Sequence, residues 1–141
     1  MENSQDTFLK LCEEPNEEIE NMIKRDLDRT IMITENLKLK KSLKEKKTKL
    51  YNVLKAYSVY DKEVSYVQGT NYIVNLLLCN LNSQRAAFWT FVQLMYEKNW
   101  RDLFVNNTPK LQRMLMVLQE IIKIKIPDLY KHFETTEVLF L

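Results

Sequence analysis

The spacing of apolar residues restricts this chain to helices. Leucine, isoleucine, valine, methionine and aromatic residues recur every three or four positions, the repeat of one helical face, and period-two alternation is confined to residues 64–67. One glycine and three prolines in 141 residues are far too few for the frequent turns of a sheet protein. The expected fold class is all-α, a multi-helix bundle. A chain of this length forms one domain with a sizeable core, and 45% hydrophobic with 28% charged residues is the balance of a globular protein. The most apolar stretch, residues 73–81, is interrupted by Asn75 and Asn80 and falls short of the roughly 20 residues that a bilayer span needs. No transmembrane segment is expected. Met1, Glu2, Asn3, Ser4, Gln5 and Asp6 lack the basic start and apolar run of a secretory signal, so the expected location is cytoplasmic.

Cap signals divide the chain into helices. Asn16, followed by Glu17 and Glu18, marks a helix start, and Ile19, Met22, Ile23 and Leu27 form its apolar stripe to an end near Arg29 or Thr30. Ser42 and Glu45 make a capping box for a second helix that places Leu43, Leu50, Val53, Leu54 and Tyr57 inward and stops between Tyr57 and Tyr60. A polar loop over residues 61–65 leads to a third helix with Ile73, Leu76, Leu77 and Leu78, apolar on most sides and therefore expected at the centre of the core. Ser83 caps a fourth, carrying Ala86, Ala87, Phe88, Trp89, Val92 and Met95. Thr108 and Pro109 open a fifth, with Leu111, Met114, Leu115, Leu118, Ile121 and Ile122 expected inward. A short helical turn follows over residues 127–133. The apolar ending Val138, Leu139, Phe140 and Leu141 contrasts with the polar, frayed ends usual for domains, and leads to the expectation that a further segment completes the fold.

Several chemistries lack the residues they need. Cys12 and Cys79 are isolated and read as reduced packing residues, and His132 stands without clustered ligands or a nucleophile system. Trp89, Phe91 and Met95 sit at helical spacing and read as core. The net charge is +2, but lysines crowd one stretch: Lys38, Lys40, Lys41, Lys44, Lys46, Lys47 and Lys49. Such a run suits an anionic membrane or nucleic acid, yet no aromatic is interleaved for base stacking, so a solvated helix face is the simpler reading and no nucleic-acid partner is expected.

Two segments carry chemistry. On a helical wheel Asp26 falls within the arc of Met22, Ile23 and Leu27, where a carboxylate needs a partner; Arg29, at i+3, is the nearest. The pair either aims a guanidinium from the helix end or simply answers the helix dipole there. In the second segment, Tyr66-Val67-Gln68-Gly69-Thr70-Asn71, the chain's single glycine follows a glutamine. Gly69 either lets the backbone turn so that Gln68 is presented, or serves as entry to a helix capped by Thr70 or Asn71.

Taken together, Ile23-x-x-Asp26-x-x-Arg29 and Tyr66-x-Gln68 resemble the IxxDxxR and YxQ motifs of TBC domains, the GTPase-activating domains that act on Rab GTPases. At typical residue frequencies the first arises by chance in roughly 2% and the second in roughly 15% of chains this long, so the pair in order is what counts. The surroundings are also similar to the family: residues 54–64, Gly69 and Asn71, Ala87-Phe88-Trp89, Pro127-Asp128-Leu129 and His132-Phe133. Departures are Ile31 and Met32 in place of Phe-Pro, Ser65 in place of glycine, and Thr70 in place of an apolar residue.

The resemblance implies a bundle like the N-terminal lobe of a TBC domain. Residues 1–15 would form an N-terminal extension that can be flexible, and residues 16–141 the N-terminal portion of the domain, truncated before the second lobe. It further implies catalysis in trans on a Rab-like small GTPase, with Arg29 as arginine finger and Gln68 as glutamine finger, and with Ile23, Asp26, Tyr66, Gly69 and Asn71 in support. GTP and Mg²⁺ would be bound by the partner, the chain needing no cofactor or metal of its own, and recruitment to endomembranes would come through that partner. The alternative in another class is a non-catalytic TBC-like module that binds a GTPase or other protein.

Overall fold

The computed structural model describes residues 4–34 and 43–136. All regular structure among them is helical: α1 (Ser4–Glu13), α2 (Glu17–Thr34), α3 (Leu43–Tyr60), α4 (Thr70–Asn80), α5 (Gln84–Tyr96), α6 (Pro109–Lys125) and α7 (Pro127–Thr135), with a 3₁₀ turn at Arg101–Leu103. Ser42 of the expected capping box, Lys38, Lys40 and Lys41 of the basic run, and the apolar ending from Val138 to Leu141 lie outside the described residues. The chain divides into two compact units, Met1–Trp100 and Arg101–Leu141.

In the first unit α3 is the hub, packed against α1, α2, α4 and α5. Its run from Val53 to Ser58 is buried throughout, and Leu50 completes the inner face. Tyr57 meets Phe91 of α5 edge-on at 4.6 Å between ring centroids, and Phe8 of α1 lies 5.3 Å from Phe88. Each such side chain contributes about 1.5–3 kcal/mol by leaving water, and the aromatic geometry adds to it. Phe8 is 3% exposed, so the stretch read as an N-terminal extension contains a helix seated on the core.

Local signals set most helix starts. Asn16 Oδ1 accepts from the Ile19 amide while Glu20 reaches back to the Asn16 amide, and Ser83 Oγ accepts from the Ala86 amide. Helix α2 runs four residues past Thr30, because no glycine or proline intervenes and Ile31 continues the buried stripe. In α6 Pro109 begins the helix as expected, but Thr108 is left-handed at φ 41° and its side chain makes no cap. Pro127 ends α6 by forcing Ile126 out of helical geometry, to φ −141° and ψ 65°.

Three expectations about facing fail, the first at Leu43, read as inward but 45% exposed at the start of α3. The buried residues of α4 are Thr70, Asn71, Val74 and Asn75, whereas Leu76 is 57% exposed. The polar side chains point inward because hydrogen bonds satisfy them, Asn71 and Asn75 with Thr30 of α2 and Thr70 with the Val67 carbonyl. In the second unit, among the described residues, α6 packs against α7 and the 3₁₀ turn, which leave much of it uncovered: Leu111, Met114, Leu118 and Ile121 are exposed, and Leu115 and Ile122 only partly covered. There Lys123 lies over the Tyr130 ring and Gln119 donates to the Tyr130 hydroxyl.

Candidate functional site

The segment carrying Gln68 is shaped by a buried acid. Asp61, 4% exposed, follows the end of α3, accepts from the Tyr57 hydroxyl at 3.0 Å and the Val64 amide at 3.3 Å, and its carbonyl accepts from the Ser65 amide at 2.7 Å. This folds residues 61–65 into a tight turn and buries Val64. Ser65 is left-handed at φ 55°, a conformation glycine takes without strain. Gly69 adopts φ 110° at the N-cap position of α4, where a Cβ would clash. Neither Thr70 nor Asn71 holds that position. Thr70 Oγ1 donates to the Val67 carbonyl at 2.7 Å, and Asn71 Oδ1 accepts from the Gly69 amide at 2.8 Å. The turn holding Gln68 is thus closed at both ends, with Gln68 itself exposed.

The other segment lies on α2. Ile23 is fully buried and anchors the helix to the core. One turn on, Asp26 pairs with Arg29, whose side chain is 50% exposed against 15% for Asp26. The guanidinium is therefore held through one terminal nitrogen and half open to solvent. Asp26 has a second partner that sequence spacing could not reveal: the Tyr66 hydroxyl donates to its other carboxylate oxygen at 2.7 Å. Tyr66 is 5% exposed, and burial first, then this hydrogen bond and the charge of Asp26, push its phenol well above the usual tyrosine range. It stays a neutral donor at physiological pH.

A second bridge runs beside the first. Asn71 Nδ2 donates to Thr30 Oγ1 at 2.6 Å, and Asn75 Nδ2 to the Thr30 carbonyl at 3.4 Å. Of the residues singled out in the sequence, Asp26, Tyr66, Gly69 and Asn71 are tied by hydrogen bonds at the junction of α2 with the start of α4, and Arg29 is held there by Asp26; Gln68 is exposed next to Gly69 in the chain, and Ile23 is buried on α2 three residues before Asp26. Sequence reading missed Asp61 and Thr30. Asp61 offered only the weak signal of an acid just after a helix; Thr30 offered none beyond following Arg29.

Other charged clusters lie elsewhere. Lys55, nearly buried on α3, pairs with Glu20 at 2.9 Å, and Tyr51 donates to the same carboxylate at 2.8 Å. These bonds, Lys55 first, then Tyr51 and the Asn16 amide, hold Glu20 at about 2, well below its ordinary 4.5. Lys47 pairs with Asp28 of α2, and Lys49 with Glu45 at 2.6 Å, so this part of the lysine run is a paired helix face. Among the described residues no group of three or more His, Cys, Asp or Glu side chains could hold a metal, and no helix is long and apolar enough to cross a membrane.

The family described as the Rab-GTPase-TBC domain matches residues 1–141. The chain is 36% identical over 115 residues to the ecotropic viral integration site 5 ortholog of Drosophila melanogaster, covering 82% of this chain and 14% of that protein. It is 38% identical over 114 residues to the Rab GTPase-activating protein eat-17 of Caenorhabditis elegans, covering 81% and 12%. Against the GTPase-activating protein GYP5 of Saccharomyces cerevisiae it is 36% identical over 111 residues, covering 79% and 11%. The chain thus spans a small part of the length of these curated relatives.

Proposed function

The chain belongs to the Rab-GTPase-TBC domain family, and we propose that it accelerates GTP hydrolysis on a Rab-type small GTPase by supplying Arg29 and Gln68 in trans. The observation that carries this reading is the Tyr66–Asp26 hydrogen bond, which ties the glutamine turn to the carboxylate that holds Arg29. Two side chains from distant segments act on one phosphate only if their backbones are locked together; this bond and the Asn71–Thr30 bridge lock them.

Each side chain suits its task. As the bond to the terminal phosphate loosens, negative charge gathers on the leaving oxygens, and an always-protonated guanidinium meets it with charge-assisted hydrogen bonds. Such a finger contributes on the order of 10³ to 10⁵ in rate, about 4 to 7 kcal/mol of barrier. A neutral carboxamide both donates and accepts, so Gln68 orients the attacking water without a shifted pKa. Asp26 steers Arg29, and Ile23 and Tyr66 anchor the two segments. GTP and Mg²⁺ belong to the partner. The protein works in the cytoplasm, at endomembranes where its partner is held.

The test is single-turnover GTP hydrolysis by a panel of Rab-type GTPases with and without the protein. Acceleration of at least one GTPase is the expected result. Binding without acceleration of any would make the chain a non-catalytic module and overturn the reading.

A further inference from the structure

Neither motif includes Thr30, yet its side chain forms a second link between the two segments beside the Tyr66–Asp26 bond. It is fully buried on α2. Its hydroxyl donates to the Asp26 carbonyl at 2.6 Å and accepts from Asn71 Nδ2 at 2.6 Å. Asn71 in turn accepts the Gly69 amide on its oxygen. An unbroken line of hydrogen bonds therefore runs from the amide next to Gln68, through Asn71 and Thr30, to the backbone of the residue that holds Arg29.

The direction of this line follows from proton counting. A hydroxyl has one hydrogen and two lone pairs. The Thr30 hydrogen is spent on the Asp26 carbonyl, so Thr30 can only accept from Asn71. That fixes the Asn71 carboxamide with nitrogen toward Thr30 and oxygen toward Gly69, the one orientation in which the Gly69 amide has an acceptor. Buried chains of this kind reinforce each bond in them and leave costly orphans when one is removed.

We propose that Thr30 is a positioning residue for GTP hydrolysis: its hydroxyl sets the orientation of Asn71, and through Asn71 the turn that presents Gln68 beside Arg29. The inference rests on the GTPase-activating reading and deepens it. Valine matches the shape of threonine but neither donates nor accepts, so Thr30→Val leaves the Asn71 nitrogen buried without a partner, lets the carboxamide turn, and strips Gly69 of its acceptor. Thr30→Ser keeps the hydroxyl.

Two measurements on the full chain test this. Amide exchange followed by NMR should find the Gly69 amide and the Asn71 carboxamide protons protected in the wild type, although the turn lies at the surface. Thr30→Val should raise exchange at Gly69 about tenfold or more, the scale of one lost hydrogen bond, relative to the cores of α3 and α5. In single-turnover hydrolysis Thr30→Val should lower kcat about tenfold with KM within about twofold, a loss confined to the transition state, and Thr30→Ser should recover both readouts. Rapid wild-type exchange at Gly69 and Asn71 overturns the inference even if Thr30→Val fails to fold. So does a Thr30→Ser variant as impaired as Thr30→Val. A wild type that accelerates hydrolysis while Thr30→Val keeps its kcat overturns the inference and leaves the proposed function standing; a wild type that accelerates no Rab-type GTPase removes both.

Discussion

The phenol of Tyr66 and the carboxylate of Asp26, 40 residues apart in the chain, meet at 2.7 Å, and the other oxygen of that carboxylate holds Arg29. Asp26 is thus shared between a buried neutral donor and a half-exposed cation. The first fixes the carboxylate and the second takes its direction from it. Without the phenol, Arg29 would keep its ion pair, but the pair would be free to swing on the helix surface, where such pairs stabilise by under about 1 kcal/mol.

Removing the phenol hydroxyl should therefore be felt at both ends. Tyr66→Phe keeps the ring in its buried site and deletes one hydrogen bond to a charged group, a loss of about 1.5–3 kcal/mol. Urea denaturation should show that loss, and stimulated hydrolysis should fall by more than the change in folded fraction explains. Unchanged stability would mean that the bond contributes nothing.

Gly69 is required by its backbone. At φ 110° a β-carbon meets the neighbouring carbonyl, so Gly69→Ala should cost about 1–2 kcal/mol or more. The reverse holds at Ser65, whose φ of 55° glycine adopts without strain; Ser65→Gly should be tolerated or slightly stabilising. Thermal unfolding of the two variants should move in opposite directions, or at least differ clearly in size. Equal destabilisation would contradict the assigned turn geometry.

Glu20 predicts an acid limit to stability. Lys55, Tyr51 and the Asn16 amide hold its carboxyl at about 2 in the folded chain, against 4.5 when unperturbed. A depressed carboxylate contributes stability that is fully present above the unfolded pKa and disappears as pH falls through the folded one. Stability should then decline from pH 4.5 toward 2, and Glu20→Gln should flatten that part of the curve while lowering stability at pH 7. Parallel wild-type and variant profiles across that window would contradict the assignment.

The helices were legible in the sequence wherever a local bond starts them. Asn16 and Ser83 cap within three residues, so spacing alone located them. The motif residues were legible by type and order. Their convergence was not, since the Tyr66–Asp26 and Asn71–Thr30 bonds span 40 and 41 positions, and no periodicity reports a contact across that distance. Nor does apolar spacing say what a face meets. It marked Leu76 and Met114 as core-facing, although both are exposed, and passed over Asn71 and Asn75, which are buried because Thr30 satisfies their amides. Lys55 was hidden for the same reason: a lysine between Leu54 and Ala56 looks like a solvated interruption until Glu20 is placed beside it.

The proposed division of labour between Arg29 and Gln68 is tested most directly by single-turnover GTP hydrolysis on a responsive Rab-type GTPase, comparing wild type with Arg29→Ala and Gln68→Ala. Circular dichroism should show both variants folded, since both side chains are exposed. Arg29→Ala should lose about 10³-fold or more of the acceleration, and Gln68→Ala a large part of it. Folded variants that accelerate hydrolysis as well as the wild type would contradict the account.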